Sequence, residues 1–526
     1  MKSGYFSIRG IRRFTAIAVL AGIQMLGASV AQAQTPVDIP NFISSQGLTN
    51  TNLGQSALAV QRTCGRLAAH RNAGNTLDPS GEELFLRCNE LVTTAGDRNF
   101  INDPNSPTPG ARTLTYSTDE ELLAAFQQVN GEEVQSGGDM SQTASYDQFS
   151  TIGARVAALR GGSSSSVTSV AANSADLMYG SGGGAAADSA APFSPWGWFV
   201  RGTYTSGDRD PSSATSFSGR ENGFDYSQYG VTIGIDRRVG NAVWGIALGY
   251  NSYEVEMQDT AIGGIDTPVV AGGTIETDSI NGTFFLDITS QNNVYVSALA
   301  GFGGQSFDMA RNFIYFSNNG DQTNTGVVDQ QRLMTASPDG DSFSGAFTLG
   351  RPIVRGSWVF DPYVGVTVDE ITIDQFAEVD SGNGGSGPDG MQLAFEKQDI
   401  DSFRSRLGFQ VSNNLNTSFG SVRPMFSAEW FHEFRNDARV IRAKYALENE
   451  LADQGIADFS TEFGFGNCVS CFDLVSDDPE DDYFVVGLGI AAATQRGLQS
   501  FLMLEGLLGH TYLSAYAATV GLRGQF

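Results

Sequence analysis

Two stretches of the chain have residue types and spacing that could support redox or metal chemistry. Cys468-Val-Ser-Cys471 has the spacing of a redox dithiol, and GGSGPD at 384–389 fits one calcium-binding repeat. The dithiol lies in an acidic loop and not at a helix N-terminus, which would lower a thiol pKa. Calcium repeats need several stacked copies, and a zinc site would need two more ligands than this dithiol supplies. We therefore expect neither a redox centre nor a metal site.

The chain also lacks the patterns of an enzyme or of a nucleic-acid-binding protein. No GxSxG or esterase-like GDS block accompanies the one histidine of the N-terminal region. GLGIAA at 487–492 imitates a dinucleotide fingerprint, but it lies inside an apolar alternation that is typical of a strand. The formal net charge of −27 would repel phosphates. We expect no catalytic residue, no cofactor and no nucleic-acid partner.

The first 33 residues have the pattern of a secretory signal peptide. Basic residues precede the apolar run FTAIAVLAGIQMLGA, and Ala31-Gln32-Ala33 supplies small residues before a cleavage point at Ala33 and Gln34. The run is shorter than the ~20 residues that a spanning helix needs. No later segment offers about 18 consecutive apolar residues, so we expect any membrane span to be built from strands.

Export determines how the four cysteines are interpreted. Cys64, Cys88, Cys468 and Cys471 would face an oxidising compartment, where disulfides form and persist. Cys64 and Cys88 lie in two neighbouring helical patterns, and the other two are separated by only two residues. We therefore predict two local disulfides, Cys64–Cys88 and Cys468–Cys471.

Residues 34–195 divide into three segments. Residues 34–135 have helical spacing interrupted by polar turns, as in SALAVQRTCGRLAAH and GEELFLRCNELV. A further helical pattern lies within 136–162 and ends at Gly161-Gly162. Residues 163–195 are rich in Ser, Gly and Ala and are typical of a linker.

From Trp196 onwards the apolar residues recur with a period of two. We count about twelve strands in 196–526, each long enough to cross a bilayer at a tilt. The connections after even strands are short, as in RRVGNAV and TSQNN, whereas most connections after odd strands are long and polar. This sorting of loops by parity is typical of an outer-membrane barrel and not of a soluble sandwich.

The alternation continues to the end of the printed sequence, in YLSAYAATVGLRGQF. Apolar residues on one face would contact lipid, and small or polar residues on the other would line a lumen. We expect this last strand to pair with the first one, because a barrel in lipid cannot leave an unpaired edge.

Four stretches together resemble the translocator domain of autotransporters, the type V secretion proteins of Gram-negative bacteria. They are ELLAAFQQVNGEEV, the helix ending ARVAALRGG, NGFDYSQYGVTIGIDRRVGNAVWGIALGYN and AYAATVGLRGQF, and they extend from about Glu120 to Phe526. The resemblance implies a mainly β fold, a 12-stranded transmembrane antiparallel barrel at 196–526. It also implies a lumenal α-helix at 136–162 and a passenger that leads outward from that helix. Here 34–135 would be a short, helical passenger-like region.

The resemblance further implies an assembly signal at the end of the last strand. Thr519, Gly521 and Phe526 match the pattern that barrel-assembly machinery reads, whereas Gly524 stands where an apolar residue is expected.

Charges inside the barrel would need partners, because a narrow lumen is only partly solvated. We predict contacts between Arg155 and Arg160 of the lumenal helix and the inward-facing Glu429 and Glu505 of the barrel. The alternative is a solvated pore lining without specific pairs.

Two functions remain open at this stage. In the first, an outer-membrane autotransporter-type barrel translocates its short N-terminal region or anchors it at the bacterial cell surface. In the second, the barrel is a channel or a loop-mediated adhesin, and the N-terminal helices stay in the periplasm. Under either function we expect a monomer that contacts outer-membrane lipid, barrel-assembly machinery and periplasmic chaperones. The sequence identifies no surface ligand.

Overall fold

Twelve long antiparallel strands close into a ring in the computed structural model of the chain. The structure describes residues 38–99, 113–115, 118–131, 133–138, 149, 152, 196–211, 217, 222–261, 269–270, 272–318, 327–381, 390–418, 420–435, 437–456, 459, 465, 468–478, 480–494 and 498–525. The predicted signal peptide, its cleavage point at Ala33 and Gln34, the predicted linker and Phe526 lie outside these described residues.

The barrel strands are numbered here in chain order. They are β1 Trp196–Arg209, β2 Phe224–Val239, β3 Ala242–Met257, β4 Thr274–Thr289, β5 Tyr295–Ser317, β6 Asp339–Gly350, β7 Trp358–Ile373, β8 Gln398–Asn413, β9 Gly420–Glu433, β10 Asp482–Thr494, β11 Gln499–Leu508 and β12 Leu513–Gln525. Each strand pairs with its neighbours in sequence, and β12 pairs with β1 from Gly197↔Gln525 to Arg209↔Leu513. The predicted 12-stranded barrel and its closure are confirmed.

The two ends of the barrel differ in their connections. At the turn end, where β1 begins and β12 ends, the connections are short, and Gly240 takes a positive φ of 59° in the turn between β2 and β3. At the opposite end, the loop end, the long connections 210–223, 258–273, 318–338, 374–397 and 434–481 are found. Several carry short strands: Thr260–Ala261, Val269–Val270, Val327–Ala336, Phe376–Ala377, Val379–Asp380, Leu393–Phe395, Val440–Tyr445 and Phe472–Val475. Ile353–Arg355 and Leu415–Thr417 lie at the turn end.

Side chains alternate along the barrel strands. Outward positions are exposed and apolar over a broad belt, for example Leu248 at 60% and Leu488 at 64% exposure. The neighbouring inward positions are small or polar and mostly buried, such as Gly487. Among the described helices, none is both long and apolar enough to cross a membrane.

Among the described residues, four helices of the N-terminal region lie at the loop end. They are α1 Asp38–Ser45, α2 Asn52–Asn72, α3 Pro79–Asn99 and α4 Asp119–Gln128, and a short helix α5, Glu448–Asp453, lies in the last long loop. A capping box starts α4: Thr118 Oγ1 accepts from the Glu121 backbone N–H at 3.2 Å, and a Glu121 carboxylate oxygen accepts from the Thr118 N–H at 2.9 Å.

Helices α1–α4 share one apolar core with the loop end. Phe42, Leu91 and Phe126 from the helices pack in the same cluster as Phe395 and Phe307. Phe395 belongs to a four-stranded sheet made of Phe376–Ala377, Leu393–Phe395, Val440–Tyr445 and Phe472–Val475. We call α1–α5 together with this sheet the cap. The cap combines the N-terminal helices with two loops of the barrel.

The cysteine predictions have different outcomes. Cys468 and Cys471 are bonded to one another, as predicted. Cys64 and Cys88 do meet between α2 and α3, but both are free thiols in the structure, which differs from the predicted disulfide. Both are buried and hydrogen-bond to each other, and Cys88 Sγ also donates to Phe85 O at 3.4 Å. The packing of α2 on α3 therefore satisfies these thiols without a covalent bond.

Thiol alkylation before and after unfolding tests this difference. Burial raises the pKa of the Cys88 thiol well above its usual value, which suppresses the reactive thiolate. We expect the folded, non-reduced protein to resist alkylation and the denatured, non-reduced protein to take up two labels, at Cys64 and Cys88. A peptide linking these two cysteines by a disulfide, found by mass spectrometry, would contradict the structure and restore the sequence prediction.

Candidate functional site: the lumen and the cap

One wall of the lumen holds an apolar socket for the N-terminal segment. Phe149 and Ile152 are helical, and their side chains are 8% and 0% exposed. They pack in one cluster with inward residues of the turn-end half of the barrel, namely Phe199, Val243, Ala247, Phe285 and Leu299. We call these five barrel residues the socket. Gly301 borders the socket and is in close contact with Phe149, because a Cβ at position 301 would be 3.0 Å from Phe149 Cε1.

Three described positions before β1 lie at different levels of the lumen. Gly138 packs against Arg439 and Ile400 near the loop end, Phe149 and Ile152 lie in the socket, and β1 begins at the turn end. These residues agree with the lumenal helix predicted at 136–162; the other residues of that helix, apart from 136 and 137, lie outside the described part of the chain.

The opposite wall carries the charged pairs. Arg404 Nη2 lies 2.8 Å from Asp369 Oδ2. Arg406 Nη1 lies 3.5 Å from Glu429 Oε1, which also accepts from the Tyr363 hydroxyl at 2.7 Å. These two ion pairs therefore join strands β7, β8 and β9 to one another.

Of the predicted contacts between the lumenal helix and the barrel, the structure describes only the barrel residues. Glu429 already has partners on the barrel wall, and Glu505 is half-buried on β11. Arg155 and Arg160 lie outside the described residues, so their contacts stay a prediction. Sequence reasoning missed the barrel partners of Glu429 because pairing across strands depends on register, which an alternation alone does not specify.

The residues of the predicted assembly signal lie at the seam that closes the ring. Thr519 is directly opposite Thr203, with their hydroxyl oxygens 3.5 Å apart, and Gly521 is opposite Arg201. A side chain at Gly521 would collide with the Phe501 ring. Glycine is therefore required by packing, whether or not assembly machinery also reads it. Phe526 lies outside the described residues.

Arg311 of β5 connects the cap to the barrel. Its side chain is 3% exposed; it donates to the Gln128 carbonyl at the end of α4 and pairs with the Glu378 carboxylate. Glu378 Oε2 in turn accepts from the Leu393 N–H at 2.7 Å. Since Gln128 Oε1 also accepts from the Ile314 N–H at 2.7 Å, helix, barrel strand and loop sheet meet at one polar cluster.

A second buried cluster holds helix α3 to the loop-end terminus of β5. Glu90 accepts from the Ser317 hydroxyl at 2.7 Å and pairs with Arg87 at 2.7 Å. The side chains of Arg87 and Glu90 are 1% and 0% exposed. Removing one partner of such a buried pair typically costs 3–5 kcal/mol, because the other charge is left uncompensated. This cluster fixes the position of α3 more than it adds stability.

Helix α2 binds the loop that contains the disulfide. The Asn52 side chain donates to the Val475 carbonyl at 3.0 Å and accepts from the Val475 N–H at 2.8 Å. Arg62 donates to the carbonyls of Val469 and Cys471 at 2.9 and 2.6 Å. The Cys468–Cys471 bond therefore lies in the loop on which α2 docks.

A larger residue at position 301 should displace the lumenal segment. We expect Gly301→Val to push Phe149 out of the socket and to raise single-channel conductance, because a 12-stranded barrel has interior space beyond its own side chains. Gly304→Val is the matched control on the same strand, since a Cβ there would meet no atom within 4 Å. Equal conductance in both folded variants would contradict a sealing role of the socket.

Comparison with known proteins gives a family match that covers about half of the chain. The autotransporter β-domain model matches residues 198–470. A search of curated protein sequences found no match. Among solved structures, the translocator domain of NalP from Neisseria meningitidis is 13% identical, covering 65% of this chain and 91% of that one, with a TM-score of 0.43. The β-domain of Bordetella BrkA is 15% identical over 63% and 100%, with a TM-score of 0.38. The toluene transporter TbuX of Ralstonia pickettii is 11% identical over 63% and 90%, with a TM-score of 0.36. The family match, together with the closed ring of strands, shows that the chain belongs to the autotransporter β-domain family.

Proposed function

We propose that this outer-membrane barrel carries its own N-terminal region across the membrane and keeps it at the cell surface as the cap. The observation that supports the proposal is the position of α1–α4, which pack at the loop end and share an apolar core with the loops. Outer-membrane barrels have short turns on the periplasmic side and longer loops outside. The cap would therefore lie on the extracellular side.

The contacts of the cap favour anchoring over release. Helix α2 binds the last long loop through Asn52, whereas α3 and α4 bind the loop-end part of β5 through Glu90 and Gln128. Two of these contacts belong to buried charged clusters, which are costly to separate because the charges would lose their partners. A passenger destined for release would have no need of such contacts.

The second candidate function leaves the helices in the periplasm and assigns activity to a channel or to the loops. It would require α1–α4 to give up the core that they share with Phe307 and Phe395. It would also require Phe149 and Ile152 to leave the lumen. The first candidate needs neither change, and we therefore favour it.

We propose a monomer that contacts outer-membrane lipid through its apolar belt and reaches the membrane with periplasmic chaperones and barrel-assembly machinery. We propose no enzymatic activity for the chain.

Epitope insertion at two turns tests the proposal. Gly74, between α2 and α3, and Gly240, in the β2–β3 turn, both have positive φ, and a Cβ at either would meet no atom within 4 Å. Each turn should therefore tolerate a short tag. On intact cells, antibody should label the tag at Gly74 and should reach the tag at Gly240 only after permeabilisation. Heat-modifiable migration confirms that both tagged barrels are folded.

The opposite result would favour the second candidate function. If folded protein tagged at Gly74 is labelled only after permeabilisation, the cap is not at the cell surface.

A further inference from the structure

A row of polar side chains crosses four adjacent strands on the socket side of the lumen. Thr205 of β1 lies opposite Gln228 of β2, Gln228 opposite Tyr253 of β3, and Tyr253 opposite Thr277 of β4. Asn251 lies on the same face of β3, two residues nearer the turn end. We call Thr205, Gln228, Asn251 and Thr277 the amide patch.

The side chains of the amide patch are buried but keep hydrogen-bonding groups available. Gln228 is 0% exposed, Thr277 2%, Asn251 4% and Thr205 6%. Among the described residues, neither amide atom of Gln228 has a hydrogen-bond partner, and the same is true of Asn251 Nδ2 and the hydroxyls of Thr205 and Thr277. Buried polar groups without partners are uncommon in native proteins and call for an explanation.

Glycines make room for the amides on this wall. A side chain at Gly230, on the neighbouring strand, would collide with Asn251 Oδ1. A side chain at Gly303 would likewise collide with Asn281 Oδ1. The barrel therefore keeps space around these polar groups. Apolar residues in the same places would avoid the free-energy cost of burying polar groups without partners.

The amide patch lies between two apolar regions along the same wall. The socket is nearer the turn end, and Phe224, Val255 and Ile275 join the core beneath the cap nearer the loop end. A segment moving through the lumen towards the cap would pass the patch. The charged pairs of β7, β8 and β9 occupy the opposite side.

The chemistry of the patch fits a peptide backbone. A side-chain amide offers one carbonyl acceptor and an NH₂ donor, and a hydroxyl offers both functions. Each peptide unit also presents one N–H and one C=O, whatever its side chain. Uncharged amides can therefore pair with an extended chain of any sequence, whereas a charged wall would hold some segments and repel others.

We propose that the amide patch binds the backbone of the chain's own N-terminal region in extended form, during its passage through the lumen and before the cap folds. This inference rests on the proposed function. Its alternative is a purely structural patch, whose groups are satisfied by ordered water in the folded barrel.

Paired substitutions separate these possibilities. Gln228→Leu combined with Asn251→Leu removes the amides at nearly constant size. The expected result is a roughly tenfold lower initial rate at which the Gly74 tag reaches the surface, because hydrogen bonds to the moving chain are lost. The abundance and heat-modifiable migration of the barrel should not change. Gln228→Asn combined with Asn251→Gln keeps the amides and should keep the rate.

Gln410→Leu supplies a matched control for the side-chain change. Gln410 is a buried lumenal amide on β8, and its Nε2 lies 3.4 Å from Met425 Sδ. We expect the surface rate of this variant to remain at the level of the unsubstituted chain.

The outcomes are distinguishable. If the tag never reaches the surface in the unsubstituted chain, the proposed function fails and this inference fails with it. If it does, an unchanged rate in the double leucine variant overturns the inference alone. A loss of folded barrel with an unchanged rate per folded barrel also overturns it, because that result identifies a structural patch.

Discussion

The fold depends on one constraint, which is that every backbone N–H and C=O inside a bilayer must find a partner within the protein. Twelve antiparallel strands satisfy it only when the ring is complete, so the pairing of β12 with β1 is as necessary as any other pairing. Closure also determines the two faces of each strand. Side chains alternate between lipid and lumen, and a shift by one residue would exchange the two sets.

Closure also leaves the lumen as the path that joins the two ends. The N-terminal helices lie at the loop end, β1 begins at the turn end, and Phe149 and Ile152 lie between them. The cap and the socket are thus consequences of one topology. A chain with this connectivity places its N-terminal region on the loops, where Arg311 and Glu90 hold the helices.

Sequence periodicity was sufficient for the barrel because a period of two extends over long strands and the loop lengths alternate with strand number. Helical spacing was likewise visible for α2, α3 and α4, in SALAVQRTCGRLAAH, GEELFLRCNELV and ELLAAFQQVNGEEV, whereas α1 was not singled out. The contacts between distant segments were not visible. The pairing of Asn52 with Val475 joins residues 423 positions apart, and no local pattern marks it.

Charged side chains and cysteines show that sequence patterns also fail to specify contacts between neighbouring strands or helices. Glu429 was recognised as an inward carboxylate, but its partners Tyr363 and Arg406 depend on strand register. Cys64 and Cys88 were correctly placed near each other, yet proximity did not determine whether they are bonded, and the structure has them as thiols. The amide patch was not anticipated, because single Gln and Thr residues in separate strands have no spacing in common.

The central claim is that the N-terminal helices cap the extracellular end of a closed barrel, and an engineered disulfide tests it most directly. Asn52 and Val475 should be replaced by cysteine in a chain in which Cys64 and Cys88 are serine and the Cys468–Cys471 bond is kept, because the Asn52 side chain bonds both backbone groups of Val475 at 2.8 and 3.0 Å. The account predicts a bond that changes migration on non-reducing gels and is cleaved on intact cells by a membrane-impermeant reductant. Failure of the bond to form in folded protein, or its cleavage only after permeabilisation, would contradict the account.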